Sequence, residues 1–301
     1  RVATRTIYEN IANSVGSGQR RVSQLQLQLA DGRAVRRPSD DPVRAHMAMR
    51  YRQELRVNRQ IQRGLEDAVM NLNGSESAIA QMQDVLAETA ALAASGADDS
   101  LGSVGRHALA GRLNNLIKEL AELGNSRLAG VHLFSGHHTA TAPLVVEADE
   151  SGVVTRVSLD PRGVDGEIRR QVGRDVLLTI NVTAAELFGE QGELFAGLIE
   201  LRDCLAANEG DGVRRIAGSL ESMTESVTLS HATVGALVER VQGLADRAAQ
   251  EEVVYEEARS QAEDLAAAKA ITELQMQQVT LEAALASGSQ ILQLSLLNYL
   301  D

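Results

Sequence analysis

The sequence predicts a mainly α chain with a small β insert, an elongated helical rod in which an N-terminal and a C-terminal helix pair. Three observations predict it. Apolar residues recur in alternating steps of three and four along both ends of the chain. The period drops to two only between Phe134 and Val182. The 301 residues hold three Phe, four Tyr and no Trp, so burial has to come from many aliphatic contacts between packed helices, and a compact core anchored by rings is not expected.

The first helix carries Tyr8, Ile11, Val15, Gly18, Val22, Leu25 and Leu29 on one stripe. Asp31-Gly32 supplies its stop. The polar run Arg36 to Pro42 follows as a linker, with Asp41 as N-cap and Pro42 as first residue of the next helix. That second helix is expected from about Pro42 to Ser95, some 50 residues or roughly 75 Å, with Asn73-Gly74 tolerated inside it at ~1 kcal/mol relative to alanine. A third, with Leu109, Leu113, Leu116, Leu120 and Leu123, is expected to end near Gly130.

Between Phe134 and Val182 the reading is of strands. Val153, Thr155, Val157 and Leu159 share one face, and Val176, Leu178, Ile180 and Val182 share another, with Ser151-Gly152 and Asp160 to Gly163 as turns. Helical periodicity then returns through Leu194, Leu198, Leu201 and Leu205, a turn at Gly210-Asp211-Gly212, and a long stripe from Ile216 to Ala248. The last segment carries Ile271, Leu274, Leu281, Leu285, Leu292, Leu296 and Tyr299, interrupted by Gln278 and Gly288.

The formal charge of −12 argues against a nucleic-acid binder, which needs a basic surface to neutralise phosphates. That average hides an asymmetry. Residues 1–63 hold thirteen Arg against five acids, a net +8, and residues 239–301 hold four bases against eleven acids, a net −7. The two ends should attract each other. No apolar run approaches the ~20 residues that span a bilayer, and no secretory leader is visible in the first 30 residues.

Nothing in the chain points to catalysis. Cys204 is the single cysteine, which excludes an intrachain disulfide or a cysteine metal cluster and reads as a small core residue. His132, His137 and His138 lack the helical spacing or cysteine neighbours of a metal site and read as solvated loop residues. Asp40-Asp41 are adjacent and diverge, which suits capping better than acid–base work. Ser135-Gly136 lacks the flanking glycines of a nucleophile elbow, and no phosphate loop occurs. No catalytic residue, metal or cofactor is expected.

Four stretches together resemble the flagellin superfamily, most closely its hook–filament junction members. Ala30 to Pro42, ending Pro38-Ser39-Asp40-Asp41-Pro42, is similar to the linker that follows the family's first terminal helix. Leu133-Phe134-Ser135-Gly136 with Thr139 and Pro143 resembles the start of the junction members' β domain, and Asn181 to Gly189 its end. Thr272 to Gln278 through Ser295 to Leu300 resembles the family's last helix. The asparagine-rich opening typical of filament flagellins is missing, and the chain departs from the family in having only two lysines.

The resemblance implies a non-enzymatic structural subunit of the bacterial flagellum, layered as terminal assembly segments (1–38 and 265–301), a helical rod (39–133 and 186–264) and an outer β domain (134–185). Its assembly interface would be Tyr8, Ile11, Val15, Val22, Leu25, Leu29, Ile271, Leu274, Leu281, Leu285, Leu292, Leu296 and Tyr299. The implied partners are further copies of itself, the first hook-associated protein and flagellin, with a cytoplasmic export chaperone on the C-terminal helix. Secretion would run through the flagellar export apparatus to an extracellular position, with no nucleic acid bound and no membrane insertion. Two rival readings are a filament flagellin and, in another class, a coiled-coil signalling rod, which would lack the β insert.

Overall fold

The computed structural model describes residues 2–162, 166–174 and 176–300. Among these described residues, seven helices and three two-stranded sheets follow in the order α1 (Val2–Asp31), α2 (Pro42–Gly96), α3 (Ser103–Gly124), β1 (Arg127–Leu128), β2 (Val131–His132), β3 (Leu144–Ala148), β4 (Val154–Leu159), β5 (Arg169–Gln171), β6 (Leu177–Thr179), α4 (Ala184–Phe188), α5 (Glu193–Ala206), α6 (Gly210–Glu263) and α7 (Ala267–Leu300). The sheets are antiparallel hairpins, β1–β2, β3–β4 and β5–β6. The chain divides into two compact units: residues 1–58 with 250–301, and residues 59–249.

The larger unit holds a contiguous apolar core running from Leu65 to Ala248. Its leucines occupy the expected helical stripes: Leu113 and Leu120 on α3, and Leu194, Leu198, Leu201 and Leu205 on α5, are all buried. α2 runs unbroken through Asn73-Gly74. A side chain there would press on Leu128 and Leu133, so the glycine lets the β1–β2 hairpin sit close to α2.

The rings overturn one expectation from composition. All three Phe are buried, Phe134, Phe188 and Phe195, and the last two pack with ring centroids 5.0 Å apart at an interplanar angle of 47°. Scarce aromatics do not mean a core without them, because here they are concentrated in one unit. Gly124 ends α3 against this cluster, where a Cβ would strike Leu144 and Phe188.

Three local expectations are also corrected. α3 stops at Gly124, six residues before Gly130, because the Asn125 side chain pairs with the Leu144 backbone, accepting from its N–H (2.9 Å) and donating to its carbonyl (3.0 Å). The chain then turns through Ala129 and Gly130, both at positive φ (50° and 86°), as a two-residue hairpin needs. Gly210-Asp211-Gly212 is not a turn but the start of α6. The reversal falls at Asn208, whose φ of 58° lies in the left-handed region that asparagine tolerates.

In β4 the buried residues are Val154 and Val157, whereas Thr155 is exposed. The register slips opposite Glu147 and Ala148, so Thr155 is an extra residue, and the phase of alternation changes across it. In the last strand region Leu178, Ile180 and Val182 are buried on one face, while Val176 is 46% exposed. Two polar side chains bind the β4 hairpin to the helices. Asn114 of α3 accepts from Val154 N–H (2.9 Å) and donates to the Gly152 carbonyl (3.2 Å), and buried Arg202 of α5 donates to Asn114 and to the Val154 carbonyl.

His132 is buried, contrary to its reading as a solvated loop residue, while His137 and His138 are exposed. Its Nδ1 pairs with the Asn125 carbonyl at 2.9 Å and its Nε2 accepts from Arg127 Nε at 3.0 Å, so the neutral ring fits both partners. Burial is the main reason its pKa lies below the ordinary imidazole value. The bond to Asn125 opposes that shift, and the Arg127 charge adds to it. Because the folded-state value is depressed, this stability is present above about pH 6.5 and is lost as pH falls through the folded-state pKa. Urea unfolding followed from pH 7.5 to 5 should show that decline, and His132→Asn should flatten it; an equally steep decline in the variant would assign the titration to another group.

Candidate assembly interface

The smaller unit is built differently. Among its described residues the buried apolar side chains are Leu25, Ala45, Ala48, Leu55, Ala262 and Ala270, four of them alanine. Ten large apolar side chains among the unit's described residues are exposed, including Leu27, Met47, Val253, Val254, Ile271, Val279 and Leu285. With so little apolar surface removed from water, the unit has a small hydrophobic driving force of its own.

Its two terminal helices pair antiparallel. Gly288 of α7 lies where a Cβ would be 3.0 Å from Ile11, and Gly18 of α1 where one would be 3.3 Å from Leu281, so the glycines that interrupt each stripe admit the opposing side chain. Arg21 of α1 pairs with Glu273 of α7 at 2.5 Å, one expression of the opposite charges of the two ends.

On α1 the expected stripe forms one seam: Ile11, Val15, Val22 and Leu29 are half-buried and Leu25 is 2% exposed. On α7 the structure separates what periodicity had merged. Leu274 and Leu281 are half-buried with Gln277 and Ala284, at steps of three and four, whereas Ile271 and Leu285 are 47% and 52% exposed. Ile271 and Leu285 are fourteen residues apart, two heptads, and so share a second face. The side chains of Tyr8, Leu292, Leu296 and Tyr299 lie outside the described residues.

The connections at the far end of this pair lie side by side. Gly32 closes α1 at φ +70°. Leu265 N–H then donates to the Gly32 carbonyl and Ala34 N–H to the Glu263 carbonyl, both at 2.9 Å, forming an isolated bridge across Arg33 and Asp264. Asp40 accepts from the Arg36 and Arg37 N–H groups (3.1 and 2.9 Å) and so shapes the linker. Asp41 accepts from Arg44 N–H at 3.0 Å and thus caps α2, whose first residue is Pro42. Arg44 reaches on to the Ala262 and Gln261 carbonyls at 3.1 and 3.0 Å, at the end of α6.

Sequence reasoning did not single out Glu263, the residue that ties these parts together. It is 2% exposed and its carboxylate is shared by Arg33 (3.0 Å) and Arg52, each about half exposed. Its only signal in sequence was a place in the acidic C-terminal segment. Glu263→Gln keeps the shape but removes the charge, a change of about 1.5–3 kcal/mol for hydrogen bonds of charged groups. Amide exchange at Ala34 and Leu265 should accelerate about tenfold or more as the bridge loosens, at 1.4 kcal/mol per decade; unchanged protection there would remove Glu263 from this role.

Residues 2–139 match the bacterial flagellin N-terminal helical region. This stretch, a little under half of the chain, is similar to flagellins. Flagellar hook-associated protein 3 of Salmonella typhimurium (strain LT2) is 24% identical over 189 residues, which are 62% of this chain and 56% of that protein. The chain thus aligns with a little over half the length of this curated relative. Among solved structures, a flagellar hook-associated protein of Vibrio parahaemolyticus superposes with a TM-score of 0.64 at 17% identity, covering 75% of this chain and all of that one. FlgL of Xanthomonas campestris gives 0.60 at 14% identity, covering 69% and 99%. These likenesses establish the flagellin-like fold. Among the described residues, no helix is long and apolar enough to cross a membrane.

Proposed function

We propose that this chain is a flagellin-superfamily protein, a structural subunit of the bacterial flagellum that joins hook to filament. The observation that carries the reading is the uneven burial. One unit has a full core from Leu65 to Ala248, while the unit made of both chain ends leaves ten large apolar side chains exposed among its described residues. Such a unit gains most of its stability when neighbouring subunits cover it, which couples its ordering to assembly. Tyr8, Ile11, Val15, Val22, Leu25, Leu29, Ile271, Leu274, Leu281, Leu285, Leu292, Leu296 and Tyr299 would then supply an inner layer. Residues 39–133 and 186–264 would supply the rod around it, and residues 134–185 an outer domain.

In this reading the subunit catalyses nothing and contacts copies of itself, the first hook-associated protein and flagellin. A cytoplasmic chaperone would guard α7 before export through the flagellar secretion apparatus. Deleting the gene should leave hooks without filaments while full-length flagellin accumulates in the medium. A tag inserted beside the exposed Ser151 should mark one band at the hook end. A tag running along the whole filament would identify a filament flagellin and overturn the proposal.

A further inference from the structure

The smaller unit carries a pocket of about 340 Å³ beside the linker, where Arg20, Ser23 and Leu27 of α1 face Arg36 and Arg37. Arg20, Ser23 and Leu27 are spaced by three and four residues and so lie on one side of α1. Leu27 is 50% exposed. Arg36 is occupied by Asp31 at 2.7 Å, whereas Arg20 and Arg37 have no carboxylate partner among the described residues. The linker backbone is held by Asp40, so the Arg37 position is built into the loop.

The same unit presents the complementary pattern on α6. Val253 and Val254 are 67% and 61% exposed, and they are flanked by exposed Glu251 and Glu257. Glu251, Val254 and Glu257 lie on one side of the helix, at i, i+3 and i+6, and Glu257 also accepts from Gln261 Nε2 at 3.3 Å. The neighbouring turn of this helix is engaged elsewhere, through the Ala262 carbonyl to Arg44 and Glu263 to Arg33 and Arg52. One pocket thus gathers an apolar residue and two unused arginines, and one side of α6 presents an apolar residue between two acids.

We infer that the Arg20–Leu27–Arg37 pocket receives the Glu251–Val254–Glu257 face of a second copy of this chain. Val254 would cover Leu27, and the two glutamates would meet the two arginines. The inference deepens the proposed assembly role by naming one subunit–subunit contact and its partner. Charge complementarity selects this pairing of unlike faces, since two arginine faces or two glutamate faces would set like charges together. Both arginines are exposed, so the contact weakens with ionic strength.

The test uses purified full-length chain with Cys204→Ser to remove the native thiol. Copies carrying Ser23→Cys are mixed with copies carrying Val254→Cys and oxidised at low salt. A disulfide-linked heterodimer is expected. Arg20→Glu with Arg37→Glu on the first copy should lower its yield about tenfold, and Glu251→Arg with Glu257→Arg on the second copy should restore it. No heterodimer, or a yield indifferent to both charge reversals, overturns the inference. A yield lowered by the first pair but not restored by the second also overturns it, because the pocket then binds some other anion. The mixture needs no flagellum, so its failure would leave the hook-end band expected for a junction subunit in place, and absence of that band would leave this contact standing.

Discussion

Replacing Phe188 with alanine is expected to destabilise residues 59–249 by about 3–5 kcal/mol, the range for removing a buried ring. Phe188 is 1% exposed and packs on Phe195, while Gly124 at the end of α3 closes against its ring edge. Three elements, α3, α4 and α5, therefore lose contacts at once and cannot all collapse into the space. Urea unfolding of the full chain, followed by far-ultraviolet circular dichroism, should show the midpoint of the larger unit fall with little change of slope. A loss below about 1 kcal/mol, typical of surface substitutions, would mean that the ring cluster is not a keystone of this unit.

The second large effect should appear in assembly and not in stability. Ile271→Asp and Leu285→Asp alter side chains that are about half exposed in the single chain, so each variant should unfold within about 0.5 kcal/mol of the parent. If the second face of α7 is covered by neighbouring subunits, a carboxylate there is buried on assembly without a partner. That penalty is several kcal/mol per ion, enough to exclude a subunit from a polymer. Cells expressing either variant should be non-motile, with the subunit recovered soluble in the medium. Normal motility would show that this face is not an interface. A control at Leu281, which packs beside Gly18, should lose stability as well, and that contrast separates the two faces.

Residues of low sequence separation were the most legible. The stripe Ile11, Val15, Val22, Leu25, Leu29 reads directly as a seam because a helix places residues three and four apart on one face whatever surrounds it. Asp41 before Pro42 is as legible, since a cap bonds to an amide three residues away. Turns and strand phase were less so. Glycines at 210 and 212 suggested a reversal that Asn208 makes. The bulge at Thr155 changed which valines of β4 face inward, because the register depends on the partner strand.

Sequence by itself determined the helical ends, their opposite charges, the position of the β insert and the poverty of aromatic residues, all of which follow from local periodicity and composition. Tertiary structure alone decided the rest. It gathered three phenylalanines into one core, sent Ile271 and Leu285 to a different face from Leu274 and Leu281, and buried His132 between Asn125 and Arg127. It also ended α6 at Glu263 with no glycine or proline to stop it, through backbone bonds to Gly32 and Ala34 more than 200 residues away. Hydrogen bonds and buried charges take their strength from partners that the chain meets only when folded, and no local period encodes those meetings.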